Sequence, residues 1–427
     1  MRGFWDTVIV GGGPAGLFAG ISAAQHGARV LILERQEKPG GKIPASGGGR
    51  ANLTHAGELP ELLRHYHGGE KPKEAARFIK PALYSFSNRD LMEFFSVRGL
   101  SLVVEPDGRV FPETYRAEDA LRVLLREAEQ LKVEILIRTR VLRIKPVPRG
   151  FELFVPGKAG PVAKSLTMIL ATGGRAYPQF GGSDDGYRLA TQLGHRVVPL
   201  RPALVPVLVA PPAFAPFSKC AGITVRNVVV TLIHEGEVVR KTCGDVLFTQ
   251  KGLSGPAVLD LSRDVEPGDL LRVAFVSGMN DVSSVERHLL AQAANRGRRT
   301  VARALQELGI PLGLARALME ALGISATHMA ELSRSERRAL VDALVLGYPF
   351  PLVGTAGWEE AMVTRGGVAL AEVSSKTMES RIVPGLFFAG EILDIDGESG
   401  GYNLQAAFST GFLAGKSAAE KAKTVES

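Results

Sequence analysis

Three glycine-rich segments carry residues able to hold a phosphate-bearing cofactor. Gly11, Gly13 and Gly16 form a G-x-G-x-x-G pattern enclosing Pro14 and Ala15. In that pattern the first glycine permits a tight turn. The second removes a side chain where a pyrophosphate approaches the backbone, and the third lets helix and strand pack closely. A helix opening there adds free N–H groups and the positive end of its dipole. Glu34 lies 18 residues beyond Gly16, where a carboxylate accepts hydrogen bonds from ribose hydroxyls. The second segment is Gly40-Gly41-Lys42 followed by Ser46-Gly47-Gly48-Gly49-Arg50. The third is Ala389-Gly390-Glu391, followed by Gly400-Gly401-Tyr402-Asn403-Leu404-Gln405.

The elements that must position these residues are legible. Thr7–Val10 is a β-branched run, Pro14–His26 has a helical pattern, and Arg29–Leu33 is a second strand run closed by Glu34. This is a β–α–β unit with its glycines at the first strand-to-helix turn. A helix is expected at Ala117–Lys132, then a small meander of Val133–Ile137, Val141–Ile144 and Phe151–Val155, and a buried strand at Ser165–Ala171. After His195 helical periodicity fades. Short runs at Leu204–Val209, Val228–Ile233, Val238–Thr242, Val246–Phe248 and Leu271–Val276 predict an antiparallel barrel or sandwich. Amphipathic segments such as Val301–Leu308 and Leu312–Leu322 predict a helical bundle. A strand at 386–390 and a helix from about Asn403 return to the first texture.

The expected fold is therefore α/β: a discontinuous Rossmann-like domain, of the glutathione-reductase-like kind, with an inserted all-β barrel-like domain and a small helical domain. The expected boundaries are 1–195 and 364–427 for the cofactor domain, 196–276 with 346–363 for the barrel, and 277–345 for the helices.

The glycine pattern with its strand, helix, second strand and acid predicts a dinucleotide. Three features favour FAD over NAD. The fingerprint stands at the N-terminal end of the sequence. A second glycine-rich segment follows Glu34 and can cradle a long cofactor beyond its pyrophosphate. The 389–405 block ends a strand and starts a helix, which aims N–H groups at the flavin edge where negative charge develops. No second G-x-G-x-x-G exists for a separate nicotinamide domain.

Composition excludes several classes. The chain has 427 residues, 45% of them hydrophobic, which is too apolar for disorder and enough for two or three packed domains. Cys220 and Cys243 cannot form a disulfide framework, a four-thiolate zinc site or a CxxC pair, and the usage suits a reducing cytoplasm. The most apolar stretch, Val197–Phe217, holds six prolines and Arg201, so no membrane span is expected. The eight histidines are dispersed; His65 and His67 are too few to ligate a metal and read as a solvated loop. The net charge of +7 is diffuse except for Arg296, Arg298, Arg299 and Arg303, which read as a solvated helix face.

The blocks VIVGGGPAGL, GGKIPASGGGRANLTH, ILATGGRAYPQFGGSDDGYRLATQLGH, LFTQKGLSGPAVLDLS and SKTMESRIVPGLFFAGEILDIDGESGGYNLQAAFSTGFLAG carry a resemblance that spans nearly the whole chain. The sequence resembles the BaiN/RdsA family of bacterial NAD(P)/FAD-dependent oxidoreductases, also described as aminoacetone-oxidase-like flavoproteins. The resemblance implies non-covalent FAD contacts at Gly11, Gly13, Pro14, Ala15, Gly16, Glu34, Arg35, Gly41, Lys42 and Arg50. Val141 matches the place where related flavoproteins hold adenine by backbone. Thr172 and Gly173 match a segment near the cofactor. Gly390, Glu391, Gly401, Asn403 and Leu404 match the flavin end. The chain departs from the family at Ala51, often a cysteine, and at His55, commonly an asparagine.

The reaction expected from this resemblance is NAD(P)H-driven reduction of an activated C=C bond, with hydride added to one carbon and a proton to its neighbour. Family precedent offers uridine in large-subunit ribosomal RNA and conjugated steroid ketones as substrates. The basic chain favours the polyanion. Lys42 and Tyr402 are the leading candidate acids; Tyr177 and His55 are weaker ones. Two further readings stand beside it: an oxidase of a small amine such as aminoacetone, and a non-catalytic flavin-dependent RNA-binding protein using the 296–303 arginines.

Overall fold

The computed structural model describes residues 4–71, 73–276, 282–296 and 298–426. Residues 277–281 and 297 of the expected helical segment, and the Arg296 side chain, lie outside them. The chain divides into two units. One joins the residues up to Pro202 with those from Met362 onward, and the other is Ala203–Ala361.

The first unit is built on a seven-stranded sheet. Its strands are β1 (Phe4–Val10), β2 (Val30–Leu33), β3 (Glu134–Leu136), β4 (Arg143–Val147), β5 (Gly150–Phe154), β6 (Ala163–Leu170) and β7 (Leu386–Phe388). The order is β3-β2-β1-β6-β5-β4, with β7 parallel to the C-terminal half of β6. β1, β2, β3 and β6 are mutually parallel. β1 and β2 read VIV and VLIL because parallel strands covered on both faces have no solvent side to alternate toward. One polar pair sits inside this layer: Thr7 and Thr167 bond through their hydroxyls at 2.9 Å, so neither is left unsatisfied.

Helices α1 (Pro14–Gln25) and α2 (Tyr402–Glu426) pack tightly together beside the sheet. Small residues allow this: a Cβ on Gly415 would fall 2.2 Å from the Ala19 carbonyl oxygen. The Phe18 ring, on α1, lies 4.8 to 5.2 Å from the rings of Phe86, Phe94 and Phe408, and its burial contributes roughly 2 kcal/mol. This packing fixes the start of α2 against the start of α1.

The second unit is a closed six-stranded barrel of Val207–Val209, Gly252–Ser254, Glu237–Phe248, Thr224–His234, Leu270–Ala274 and Tyr348–Thr355. Helices at Val301–Glu307, Leu312–Ala321 and Arg334–Asp342 share one buried cluster with its strands, around Phe217, Phe248 and Phe350. Among the described residues no helix is long and apolar enough to cross a membrane.

Four local expectations are corrected. Glu134–Leu136 is not part of a meander; it extends the parallel sheet beside β2, while β4 and β5 form a hairpin and β5 pairs antiparallel with β6. Val238–Thr242 and Val246–Phe248 are one strand, because Gly244 continues the extended backbone between them. Leu204–Val209 is strand only from Val207, and Val197–Ala203 pairs instead with Val363–Val368. The arginine cluster is not uniformly solvated: Arg298 and Arg303 are exposed, but Arg299 pairs with Glu307.

Candidate cofactor site

The first turn is shaped by contact rather than by sequence pattern alone. β1 ends at Val10, and the Gly11 amide donates to the Leu33 carbonyl at 2.9 Å. A Cβ on Gly16 would stand 1.8 Å from the Gly11 oxygen, whereas one on Gly13 would meet nothing within 4 Å. Pro14 occupies the first helical position, where no amide proton is needed. The amides of Gly13, Ala15 and Gly16 have no partner among the described residues. Open space, open N–H groups and a helix dipole thus converge on one point.

Glu34 is oriented by two backbone amides, from Gly12 to Oε2 at 2.6 Å and from Gln36 to Oε1 at 2.7 Å. Each oxygen keeps acceptor capacity for a ribose hydroxyl. Arg35 turns to Asp185, at 3.1 Å, and to the Gly181 carbonyl at 2.8 Å. Asp185 also receives Arg140, through Nε at 2.8 Å, and Arg188. These guanidinium groups, Arg140 foremost, hold its carboxyl at about 2, below its ordinary value. Thr139 and Arg138 donate to the carbonyls of Glu34 and Gln36, which brings Val141 alongside. The Val141 amide and carbonyl have no partner among the described residues, as a base-binding backbone requires.

At the other end, Lys42 Nζ contacts Glu391 Oε1 at 2.7 Å, Oε2 at 2.8 Å and the Met362 carbonyl at 3.1 Å. Glu391 Oε1 also accepts the Thr364 amide at 2.8 Å. The Thr364 hydroxyl accepts the amides of Arg175 and Ala176, fixing the turn after Thr172 and Gly173. The Thr172 hydroxyl is buried without a partner, and a Cβ on Gly173 would meet nothing within 4 Å. Gly390 has φ +77, and a Cβ there would sit 2.7 Å from Ala15 Cβ, so the first and third glycine segments meet. The amides of Asn403 and Leu404 have no partner among the described residues, while Gly401 packs on the Thr54 backbone. Gly41 lies against Gly13, and Arg50 lies over the Phe111 ring at 4.5 Å. Unfilled space, an orphaned hydroxyl and two helix starts with open amides fit an extended flavin dinucleotide.

Tyr402 is buried, and the rings of His65 and His55 stack on it at 4.4 and 5.3 Å. Tyr66 donates its hydroxyl to the Tyr402 carbonyl at 3.0 Å, and burial pushes the Tyr66 phenol well above its ordinary value. His55 has both ring nitrogens engaged: Nε2 with the Asp107 carbonyl at 3.0 Å, and Nδ1 with the Gly57 amide at 3.1 Å. Tyr177 is half-buried against Phe180, and no contact among the described residues joins it to Tyr402. Ala51, which stands where the family often has a cysteine, is buried at φ +59.

The expectation of a solvated loop at His65 and His67 is corrected. Both rings are partly buried and share the carboxylate of Glu398, His65 Nδ1 at 2.6 Å and His67 Nε2 at 3.1 Å. Tyr66–His67 pairs with Asp396–Gly397, which brings the histidines to Glu398. Sequence reasoning missed Glu398 and Thr364. Glu398 could have been found as the acid just before Gly400-Gly401; Thr364 has no local signal.

The profile of the HI0933-like protein Rossmann domain matches residues 5–417. The ribosomal RNA dihydrouridine synthase of Escherichia coli strain K12 is 33% identical over 406 residues, covering 95% of this chain and 96% of that one. The 3-dehydro-bile acid delta(4,6)-reductase of Clostridium scindens is 34% identical over 422 residues, covering 97% and 98%. The solved structure of a 3-ketosteroid-delta4-(5alpha)-dehydrogenase from Rhodococcus jostii RHA1 shares the fold, with a TM-score of 0.52, 18% identity and coverage of 98% and 97%.

Proposed function

The chain belongs to the HI0933-like Rossmann family and is an FAD-dependent oxidoreductase, and we propose that it uses NAD(P)H to reduce an activated C=C bond, that of a uridine in large-subunit ribosomal RNA. The observation that carries the reading is the meeting of Ala15 and Gly390, which places two helix starts with open amides around one cradle. Relatives of nearly equal length, one named a dihydrouridine synthase and one a delta(4,6)-reductase, support the choice of bond.

Bound there, FAD would supply hydride chemistry. In this reading Gly13, Ala15 and Gly16 bind the pyrophosphate through their amides, and Glu34 takes the ribose. Val141 holds the adenine, while Gly41, Arg50, Thr172, Gly173 and Gly401 line the cradle. Asn403 and Leu404 would offer amides to the flavin end, and Glu391 orients Lys42 through both its oxygens. Lys42 already has three acceptors for its three protons, so it reaches a substrate only by releasing one. Tyr402 is the other acid proposed from the sequence.

The test is anaerobic. NADPH is expected to bleach the yellow protein, and unmodified large-subunit ribosomal RNA is expected to restore the colour while one uridine becomes dihydrouridine by mass spectrometry. Recovery with a conjugated steroid ketone but not with RNA would select the second reading, which the 34% identical bile acid reductase favours. Recovery with neither ends the reductase reading.

A further inference from the structure

His65 differs from Lys42 and His55 among the candidate acids. Lys42 and His55 have their polar hydrogens and lone pairs committed to the protein. The His65 ring is stacked on Tyr402, the first residue of α2, and its side chain is 37% exposed. Glu398 takes Nδ1, and the Glu398 amide donates to the His65 carbonyl at 3.0 Å, so ring and backbone are gripped by one residue. His65 Nε2 has no partner among the described residues and is not sealed from solvent. An imidazole held by a carboxylate through Nδ1–H has its tautomer and orientation fixed, with Nε2 left for proton transfer.

From this geometry we infer that His65 carries the proton that completes the reduction, with Glu398 as its positioning residue. The inference rests on the reductase reading. The neighbouring carbon takes the hydride which that reading already supplies. The π pair of the C=C bond becomes a new C–H bond with the Nε2 proton. His65 is left neutral, and a proton from water restores its cation. His67 contacts the other oxygen of Glu398 at 3.1 Å and so restrains the same carboxylate.

The test uses the FAD-loaded protein with histidine-selective nitrogen labelling and anaerobic rapid mixing. NMR is expected to show His65 protonated at Nδ1 when neutral, and Glu398→Gln is expected to release that tautomer. In His65→Ala, flavin reduction by NADPH is expected to stay within about twofold of the parent. Reoxidation by the C=C substrate is expected to slow about 100-fold or more, the usual worth of a positioned acid. Added imidazole is expected to restore the rate in proportion to its concentration. If His65→Ala does not fold, His65→Gln is measured, with the same slow reoxidation expected. A parent protein that no C=C substrate reoxidises overturns the reductase reading and this inference together. A parent that is reoxidised, beside a His65 variant reoxidised at the same rate, overturns this inference alone. Slow reoxidation that imidazole leaves unchanged in His65→Ala also overturns it, since a structural role alone would give that result.

Discussion

Lys42 and Glu391, 349 residues apart, close head to head: Nζ lies 2.7 Å from Oε1 and 2.8 Å from Oε2. Each side chain is about one-fifth exposed, between the surface pairs that contribute under about 1 kcal/mol and the buried pairs whose disruption costs about 3 to 5 kcal/mol. Lys42→Met and Glu391→Gln are each expected to lose about 1 to 2 kcal/mol. The double variant should lose about 1 kcal/mol less than their sum. Urea unfolding of the four proteins measures this. An additive cycle would mean that the pair contributes nothing to holding the two segments together.

Gly13 and Gly16 separate a role toward the cofactor from a role in the fold. Gly13 has φ −76 and ψ −172, open to any residue, and free space where a Cβ would go. Gly13→Ala is expected to keep the cofactor-free stability within about 1 kcal/mol, the usual cost at a helix cap. Its FAD affinity should fall about tenfold or more. Gly16→Ala meets the Gly11 oxygen at 1.8 Å and should lose about 3 kcal/mol or more even without FAD. Thermal unfolding of the apoproteins and flavin titration distinguish the two. Equal loss of stability in both would remove the argument that Gly13 faces a ligand.

The β–α–β start was legible because its signals are local: a β-branched run, a glycine turn, a helix and an acid within thirty-four residues. The barrel was legible as β texture, yet its closure was not. Closure depends on Tyr348–Thr355 pairing with Val207–Val209 across more than a hundred residues, which no local period records. Glu134–Leu136 looked like its neighbours because a three-residue strand carries too few side chains to reveal which sheet it joins. At the site, glycines and the acid announced themselves by spacing. Glu398 and Thr364 act through partners that only folding brings near, His65 and His67 for one, Arg175 and Ala176 for the other.

Thr364 is fully buried, and its hydroxyl accepts amides from both Arg175 and Ala176, at 2.8 and 3.0 Å. Thr364→Val keeps the shape and removes the acceptor, leaving the buried Ala176 amide and the part-buried Arg175 amide unmet at a cost of about 1 to 3 kcal/mol. Thr364→Ser should recover most of that loss because the oxygen returns. The turn at Thr172–Gly173 should loosen in the valine variant alone, seen as faster amide exchange at Arg175 and Ala176. A valine variant as stable as the parent would show that water satisfies those amides.

Asp185 gives the pH dependence a sign. Its carboxyl has an ordinary value of 3.8 and is held at about 2 in the folded chain, first through the Arg140 hydrogen bond and then by Arg188 and Arg35. A lowered value means that the folded state binds the proton less readily than the unfolded state. The stabilisation is therefore whole above about pH 4 and is lost as the pH falls toward 2. The side chain is 12% exposed, but Arg140 and Arg188 are about half exposed, so solvent screens part of the attraction. Asp185→Asn is expected to lose about 1 to 2 kcal/mol near neutral pH, since three guanidinium groups then face one another without a counter-charge. The gap between parent and variant should narrow below about pH 4 and close near pH 2. Urea unfolding of both proteins across that range measures it. A gap that persists unchanged to pH 2 would mean that Asp185 contributes by shape and hydrogen bonding, not by charge.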